Sequence, residues 1–486
     1  MAKKVYGVLP KKIYSATQST VYGIDMADDG ELVVDITSYY VSSWTQAIQD
    51  ACAALKTIGG GTISFPAGDY LIKPLLINVS GNNIQFKGVG TARLYTTETV
   101  LWNYCIMVTG DNVIFNNLTF DHRGDSALLP TTDPYKGAIS ILFFGSDYST
   151  VRNCNFYSYA IVTVLCNNYG GAVPLQFDYY SNNIYWQRKV DSLYDVSCVN
   201  LQARTLHYYN NNTYSIQTAF TTWKARTGAE LHFAKGYVTS NTFDGSQVGI
   251  LYLPWGAESN DYDASFGADV LLNLNTITKA IIGFEMWVGI SGAGRDMRNV
   301  TIENNSIGLY LANNNYSKPC SGVLFYRGGS YAAEIYDVEI NNNAVTMTWD
   351  TSVYTNWTLV KGAFYHLVTG ADTGVFCLNI QNTMKRINIH DNTIANMPYS
   401  VLNLYRRNAT GGTYVHEDIT YDNNDAVNCS YQYPYQDLCN ACFNLGYTDT
   451  VAITNCNMSN PDIAMTEQKE ELAYLTNLTY TGNTFT

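Results

Sequence analysis

Charge is scarce in this 486-residue chain: Asp, Glu, Lys and Arg together make up 14% of it, against roughly a quarter of an ordinary soluble domain. Basic residues are the scarcer half, 28 Lys and Arg against 41 Asp and Glu, for a formal net charge of −13. That excludes a broadly nucleic-acid-binding surface, which needs a basic face to meet phosphate. No apolar run approaches the ~20 residues of a membrane-spanning helix, so membrane insertion is not expected. Lys3 and Lys4 have no apolar stretch behind them; a Sec-type signal peptide is therefore not expected, and synthesis in a cytoplasm is. Asn-Gly and Asp-Gly, the usual two-residue hairpin turns, are almost absent, which argues against an antiparallel sandwich. The 11 cysteines follow no regular spacing and read as buried free thiols rather than a disulfide framework. Cys439 and Cys442 form one compact pair with no second pair beside it, so zinc is not expected there, and no cofactor or metal is expected elsewhere.

What the chain does have is a repeat. Val300, Ile302, Asn304, Asn305 and Ile307 recur as Val338, Ile340, Asn342, Asn343 and Val345, and as Ile387, Ile389, Asp391, Asn392 and Ile394. Further copies start at Ile419, Val451 and Leu478, and earlier ones at Val113, Val151 and Val270, with a looser one through Val238, Asn241 and Phe243. The first two apolar positions lie on one face of a strand. The Asn pair then turns the chain, because Asn tolerates left-handed backbone and bonds its own main chain. The last apolar residue returns to the core. Stacking such coils sets each Asn about 4.8 Å from the next, where the amides can ladder. The expected fold is all-β, a right-handed parallel β-helix or solenoid.

One helix reads clearly. Trp44, Ala47, Ile48, Ala51 and Leu55 share a face, Ser43 is placed to cap its start, and Gly59-Gly60-Gly61 stop it. An amphipathic helix there would cover the open end of the solenoid as an N-terminal capping α-helix. The expected layout is an N-terminal arm over 1–40 and a β-helix domain over 41–486, with the cap helix at about 43–57.

Gln46-Ala47-Ile48-Gln49, Gly59-Gly60-Gly61-Thr62 and Phe65-Pro66-Ala67-Gly68-Asp69-Tyr70 resemble the opening motif of the pectate-lyase-like β-helix superfamily. That superfamily includes bacteriophage tailspikes and capsule depolymerases. The Asp-Gly-x-x-Asp-Asp-Thr stretch common before its helix is replaced here by Tyr39-Tyr40-Val41-Ser42-Ser43-Trp44-Thr45. The polygalacturonase motifs are not found. The resemblance implies a virion protein of a phage tail, a homotrimer, attached to other tail or baseplate proteins through residues 1–40. It implies action at the host cell surface on a bacterial surface polysaccharide: capsule, exopolysaccharide or O-antigen.

A glycosidase needs two carboxylates, about 5 Å apart to retain configuration and 6.5–9.5 Å apart to invert it. Adjacent coils, ~4.8 Å apart, and alternate coils, ~9.6 Å apart, supply either spacing. Glu285 sits in an apolar strand, Gly283 to Trp287, where desolvation would favour the protonated acid. By repeat register it is expected to face Leu251 on one side and Asn315 on the other. Glu258, Asp261 and Asp263 are the candidate partner carboxylates, and Trp255, Trp287, Arg295 and Arg327 the candidate sugar contacts. The same residues also read as an ordinary strand carboxylate among core tryptophans and solvated arginines. A second cluster, Asp121, His122, Arg123 and Asp125, would hold a catalytic base, or simply turn the chain. The 40 Tyr suit a glycan-binding surface.

These readings favour a glycoside hydrolase of polysaccharide. A lyase of the same fold, a non-enzymatic receptor-binding or structural tail fibre, and a secreted pectinase are the rivals.

Overall fold

The computed structural model describes residues 24–26, 32–98, 104–122, 139–158, 162–167, 174–186, 197–215, 227–254, 269–288, 296–311, 321–327, 334–364, 375–378, 384–404, 416–429, 443–444, 449–459 and 477–485. They belong to two units, Met1–Ile216 and Gln217–Thr486, and in both the chain visits three sheets, A, B and C, in turn. The architecture is a parallel β-helix.

In the first unit a coil runs Gly61–Phe65 in sheet A, Gly68–Leu71 in B and Ile77–Val79 in C, and Ile84–Gly88 returns to A. Strands of successive coils pair parallel and in register, as Phe65 to Gly88 and Leu94 to Phe120. The expected helix, α1, spans Trp44–Ile58. Its face of Ala47, Ile48, Ala51 and Leu55 is excluded from solvent, and burial of Ile48 and Leu55 contributes roughly 1.5–3 kcal/mol each. Trp44 meets Tyr70 edge-on at 4.7 Å and Thr45 Oγ1 accepts the Lys73 amide at 2.9 Å, so the helix is pinned to the first coil. Gly59 ends it at φ +93°. Ser43 occupies the N-cap position in extended conformation, but its side chain makes no capping bond. Leu32–Asp35 pairs parallel with Gly61–Phe65, and Ile24–Met26 pairs antiparallel with Leu32–Asp35. Sheet A of this unit thus has two further strands from the sequence before α1.

Aromatic residues stack through the core of this unit. Phe86 lies over Phe115 at 4.6 Å, Phe120 over Phe156 at 5.0 Å and Tyr179 over Tyr208 at 5.3 Å. Such pairs add about 0.5–1.5 kcal/mol beyond burial.

In the second unit the sequence repeat and the strand register coincide. Val270, Val300, Val338, Ile387, Ile419, Val451 and Leu478 pair in one row of sheet A. Ile277, Ile307, Val345, Ile394, Ala426, Met458 and Phe485 pair in one row of sheet B. Between them the two Asn positions divide the work. The first takes left-handed backbone: Asn304, Asn342, Asp391, Asn423 and Asn455 have φ between +50° and +54°. The second turns inward and ladders. Asn241, Asn275, Asn305, Asn343, Asn392 and Asn424 pass side-chain amide bonds from coil to coil at 2.9–3.0 Å. A second helix, α2 (Trp357–Phe364), was not legible in the repeat and follows the sheet B strand Ala344–Trp349.

Candidate functional site

Four consecutive strands of sheet C in the second unit carry the candidate site: β1 (Thr227–Phe233), β2 (Val248–Pro254), β3 (Ile282–Val288) and β4 (Ser321–Arg327). Alternation fixes which side chains point in. Ala229, Ile250, Phe284 and Val323 form one inward row, and Leu231, Tyr252, Met286 and Phe325 the next, all essentially inaccessible. The intervening outward row reads Glu230, Leu251, Glu285, Leu324.

Gly228, Gly249, Gly283 and Gly322 stack one per coil, each the second residue of its strand. A Cβ on Gly283 would lie 2.5 Å from the Gly322 carbonyl oxygen and 2.5 Å from Ile307, and one on Gly249 2.8 Å from the Gly283 carbonyl oxygen. Only hydrogen fits there, so the four strands approach closely at these positions, and the pairing register puts Glu230 and Glu285 at the same level.

Although outward-facing, this row is well shielded. Leu251 and Leu324 are 3% exposed and Glu285 8%. Val248, Leu251 and Leu253 form a cluster against which Ile282 and Trp287 pack. Each carboxylate is held by the side chain two residues on. Trp287 donates its indole N–H to Glu285 Oε1 at 2.6 Å, and His232 Nε2 meets Glu230 Oε1 at 2.9 Å. Two strand spacings, about 9.6 Å, separate Glu230 from Glu285, with Leu251 between.

The structure therefore brings Glu285 and Trp287 together, as the sequence suggested, with Leu251 on one flank. The other neighbour is Leu324 and not Asn315. The sequence count assumed a short coil after Glu285, whereas a longer one intervenes. Arg327 ends β4 opposite Val288; its side chain lies outside the described set. Trp255, Glu258, Asp261, Asp263 and Arg295 lie outside the described residues, as do Cys439 and Cys442. Glu230 and His232 were missed. The signal was there, an alternating Glu-x-His between apolar residues in Gly228-Ala229-Glu230-Leu231-His232-Phe233, but that strand lies in sheet C and carries none of the repeat, whose residues fall in sheets A and B.

The second cluster divides. Asp121 is 6% exposed and accepts Arg93 Nη2 at 2.8 Å, while Arg93 also reaches Asp69 at 3.3 Å, an ion pair that holds coil to coil. His122 is fully buried, neither ring nitrogen has a hydrogen-bond partner, and burial pushes its pKa down to about 4. Arg123 and Asp125 lie outside the described residues. On sheet A of the second unit His390 Nδ1 meets Asp391 Oδ2 at 2.5 Å and its Nε2 meets Glu339. Those two partners outweigh partial burial and raise the His390 pKa. Tyrosines on the outside of the first unit stack upon one another, Tyr157 on Tyr185 at 4.7 Å and Tyr185 on Tyr214 at 5.4 Å, which occupies the ring faces a sugar would use.

No protein-family model matches this chain, and no curated protein matches its sequence. Among solved structures it is similar to the tailspike protein of E. coli bacteriophage HK620. A double mutant of that tailspike superposes with a TM-score of 0.54 at 12% identity, covering 97% of this chain and 85% of that one. A double mutant in complex with a pentasaccharide gives 0.53 at 12% identity over the same shares. A single mutant with pentasaccharide gives 0.52 at 11% identity, covering 97% and 84%. This likeness shows the fold: a right-handed parallel β-helix of the tailspike kind.

Proposed function

We propose that this chain is a phage tail protein that binds a bacterial surface polysaccharide, whether capsule, exopolysaccharide or O-antigen, and depolymerises it by hydrolysing glycosidic bonds. The observation that carries the reading is the outward row of sheet C, where Glu285 is bonded to Trp287 in an apolar surround and a second carboxylate stands on the same face. An indole beside a carboxyl supplies what glycan cleavage needs, an apolar plane for a sugar ring and a proton donor near its glycosidic oxygen. The HK620 tailspike of the same fold is known in complex with a pentasaccharide, which supports a glycan as the ligand.

In this reading Glu285 is the general acid, Trp287 a sugar contact, and Trp255, Arg295 and Arg327 further contacts. Glu258, Asp261 and Asp263 are the acidic residues that follow β2. The functional form is a homotrimer joined to tail or baseplate proteins and acting at the host surface.

The test is incubation of the purified protein with a panel of bacterial capsules, exopolysaccharides and O-antigens, with products followed by mass spectrometry. Oligosaccharides each heavier by one water support hydrolysis. Products with an unsaturated, ultraviolet-absorbing end would make the protein a lyase, and binding without fragments would make it a receptor-binding fibre.

A further inference from the structure

Resting on that hydrolytic reading, we infer that the second carboxylate of the reaction is Glu230, positioned by His232, and that the bond is cut with inversion at the anomeric carbon. Glu230 and Glu285 occupy one outward row, so their side chains leave the same sheet face in the same direction. The positions directly flanking Glu285 are Leu251 and Leu324, so this row offers no carboxylate at the short spacing of a retaining enzyme. It offers one two coils away, at about 9.6 Å between backbones, the upper edge of the range that admits a water molecule.

The surroundings assign the roles. Glu285 lies between two leucines, and that desolvation favours a carboxyl that carries its proton, over the opposing pull of the indole N–H it accepts. Glu230 is bonded to an imidazole, which suits one that has given it up. In the reaction Glu230 takes a proton from water as the water oxygen attacks the anomeric carbon. The bond from that carbon to the leaving oxygen breaks with its electron pair, and Glu285 gives its proton to that oxygen. One water is consumed, Glu230 ends protonated and Glu285 ionised, and exchange with solvent restores both. Leu251 is the floor over which the bond lies. His232 acts through Glu230 and touches neither sugar nor water.

The experiment uses the full chain and a glycan that the wild type cleaves. Proton NMR of the fresh product, read before mutarotation, gives the anomeric configuration: inversion is expected, and retention overturns the assignment without any variant having to fold. Glu230→Gln and Glu285→Gln are each expected to lower kcat at least about a thousandfold with glycan affinity kept. His232→Gln is expected to lower kcat about tenfold with KM unchanged, a split that a merely structural role would not produce. If Glu285→Gln is inactive while Glu230→Gln keeps wild-type kcat, the partner is another residue and the hydrolytic reading stands without this one. If the wild type releases no fragments from any glycan, the reading fails and this assignment fails with it.

Discussion

Asn305 donates its side-chain amide to Oδ1 of Asn343 on the next coil at 2.9 Å, and the same Oδ1 accepts the Asn305 backbone N–H at 3.0 Å. One acceptor thus satisfies two buried donors, and Asn343 in turn donates to Ile302 O and Asn392 Oδ1. In a solenoid each coil leans only on its neighbours, so this ladder is a vertical tie that strand pairing does not replace.

Asn343→Ala strands two donors on Asn305 away from water and is expected to cost about 2–3 kcal/mol. Asn342→Ala removes a turn residue at φ +52° and is expected to cost about 1 kcal/mol through left-handed strain. Urea unfolding of the two variants checks the order, and equal losses would mean that the ladder adds nothing beyond turn propensity.

Gly283→Ala drives a methyl into the Gly322 carbonyl and Ile307 and is expected to destabilise by roughly 2–3 kcal/mol. Gly59→Ala at the end of α1 meets nothing within 4 Å and bears only its φ of +93°, a cost of about 1 kcal/mol. Thermal denaturation of both separates crowding from backbone strain. A Gly283→Ala protein as stable as wild type would contradict the close approach of the strands at Gly283.

His122 and His390 have pKa values shifted in opposite directions. Burial lowers His122 to about 4 from an ordinary 6.5. Between those values the unfolded chain binds a proton that the folded one refuses, so stability falls as pH drops from 6.5 to about 4, by about 3 kcal/mol at most. His122→Leu should flatten that fall. His390 is raised instead by its Asp391 and Glu339 partners; its stabilisation is present below pH 6.5 and is lost as pH rises through the folded value. His390→Gln should remove that loss. Melting temperature across the range checks both, and a His122→Leu profile parallel to wild type would contradict the buried neutral imidazole.

Tyr185 is the middle ring of the Tyr157–Tyr185–Tyr214 stack. Tyr185→Ala removes two ring contacts and is expected to cost about 1–3 kcal/mol while leaving glycan cleavage unchanged. Loss of cleavage with stability intact would give these tyrosines a part in substrate contact.

The fold was legible because its rule is local and repeated. Val300, Val338 and Ile387 begin copies of one pattern in the sequence and pair with one another in sheet A. The Asn pairs announced both a left-handed turn and a ladder, and the structure gives one role to each position. The site was half legible. Glu285 and Trp287 stood out as polar and aromatic residues within a short apolar strand. Glu230 did not, because strands of sheet C follow no Asn signal and the coil lengths between them vary. The register that sets Glu230 two coils from Glu285 and Leu324 beside it shows only once the strands are stacked, as does the alignment of four glycines scattered over nearly a hundred residues.

The proposed function stands on hydrolysis, the addition of water across a glycosidic bond. It is tested most directly by digesting a glycan it cleaves in water enriched in heavy oxygen and weighing the fragments. One heavy oxygen atom is expected in the newly formed reducing end of each fragment, and none in the presence of the Glu285→Gln protein. Fragments that carry no label and end in an unsaturated sugar would contradict it.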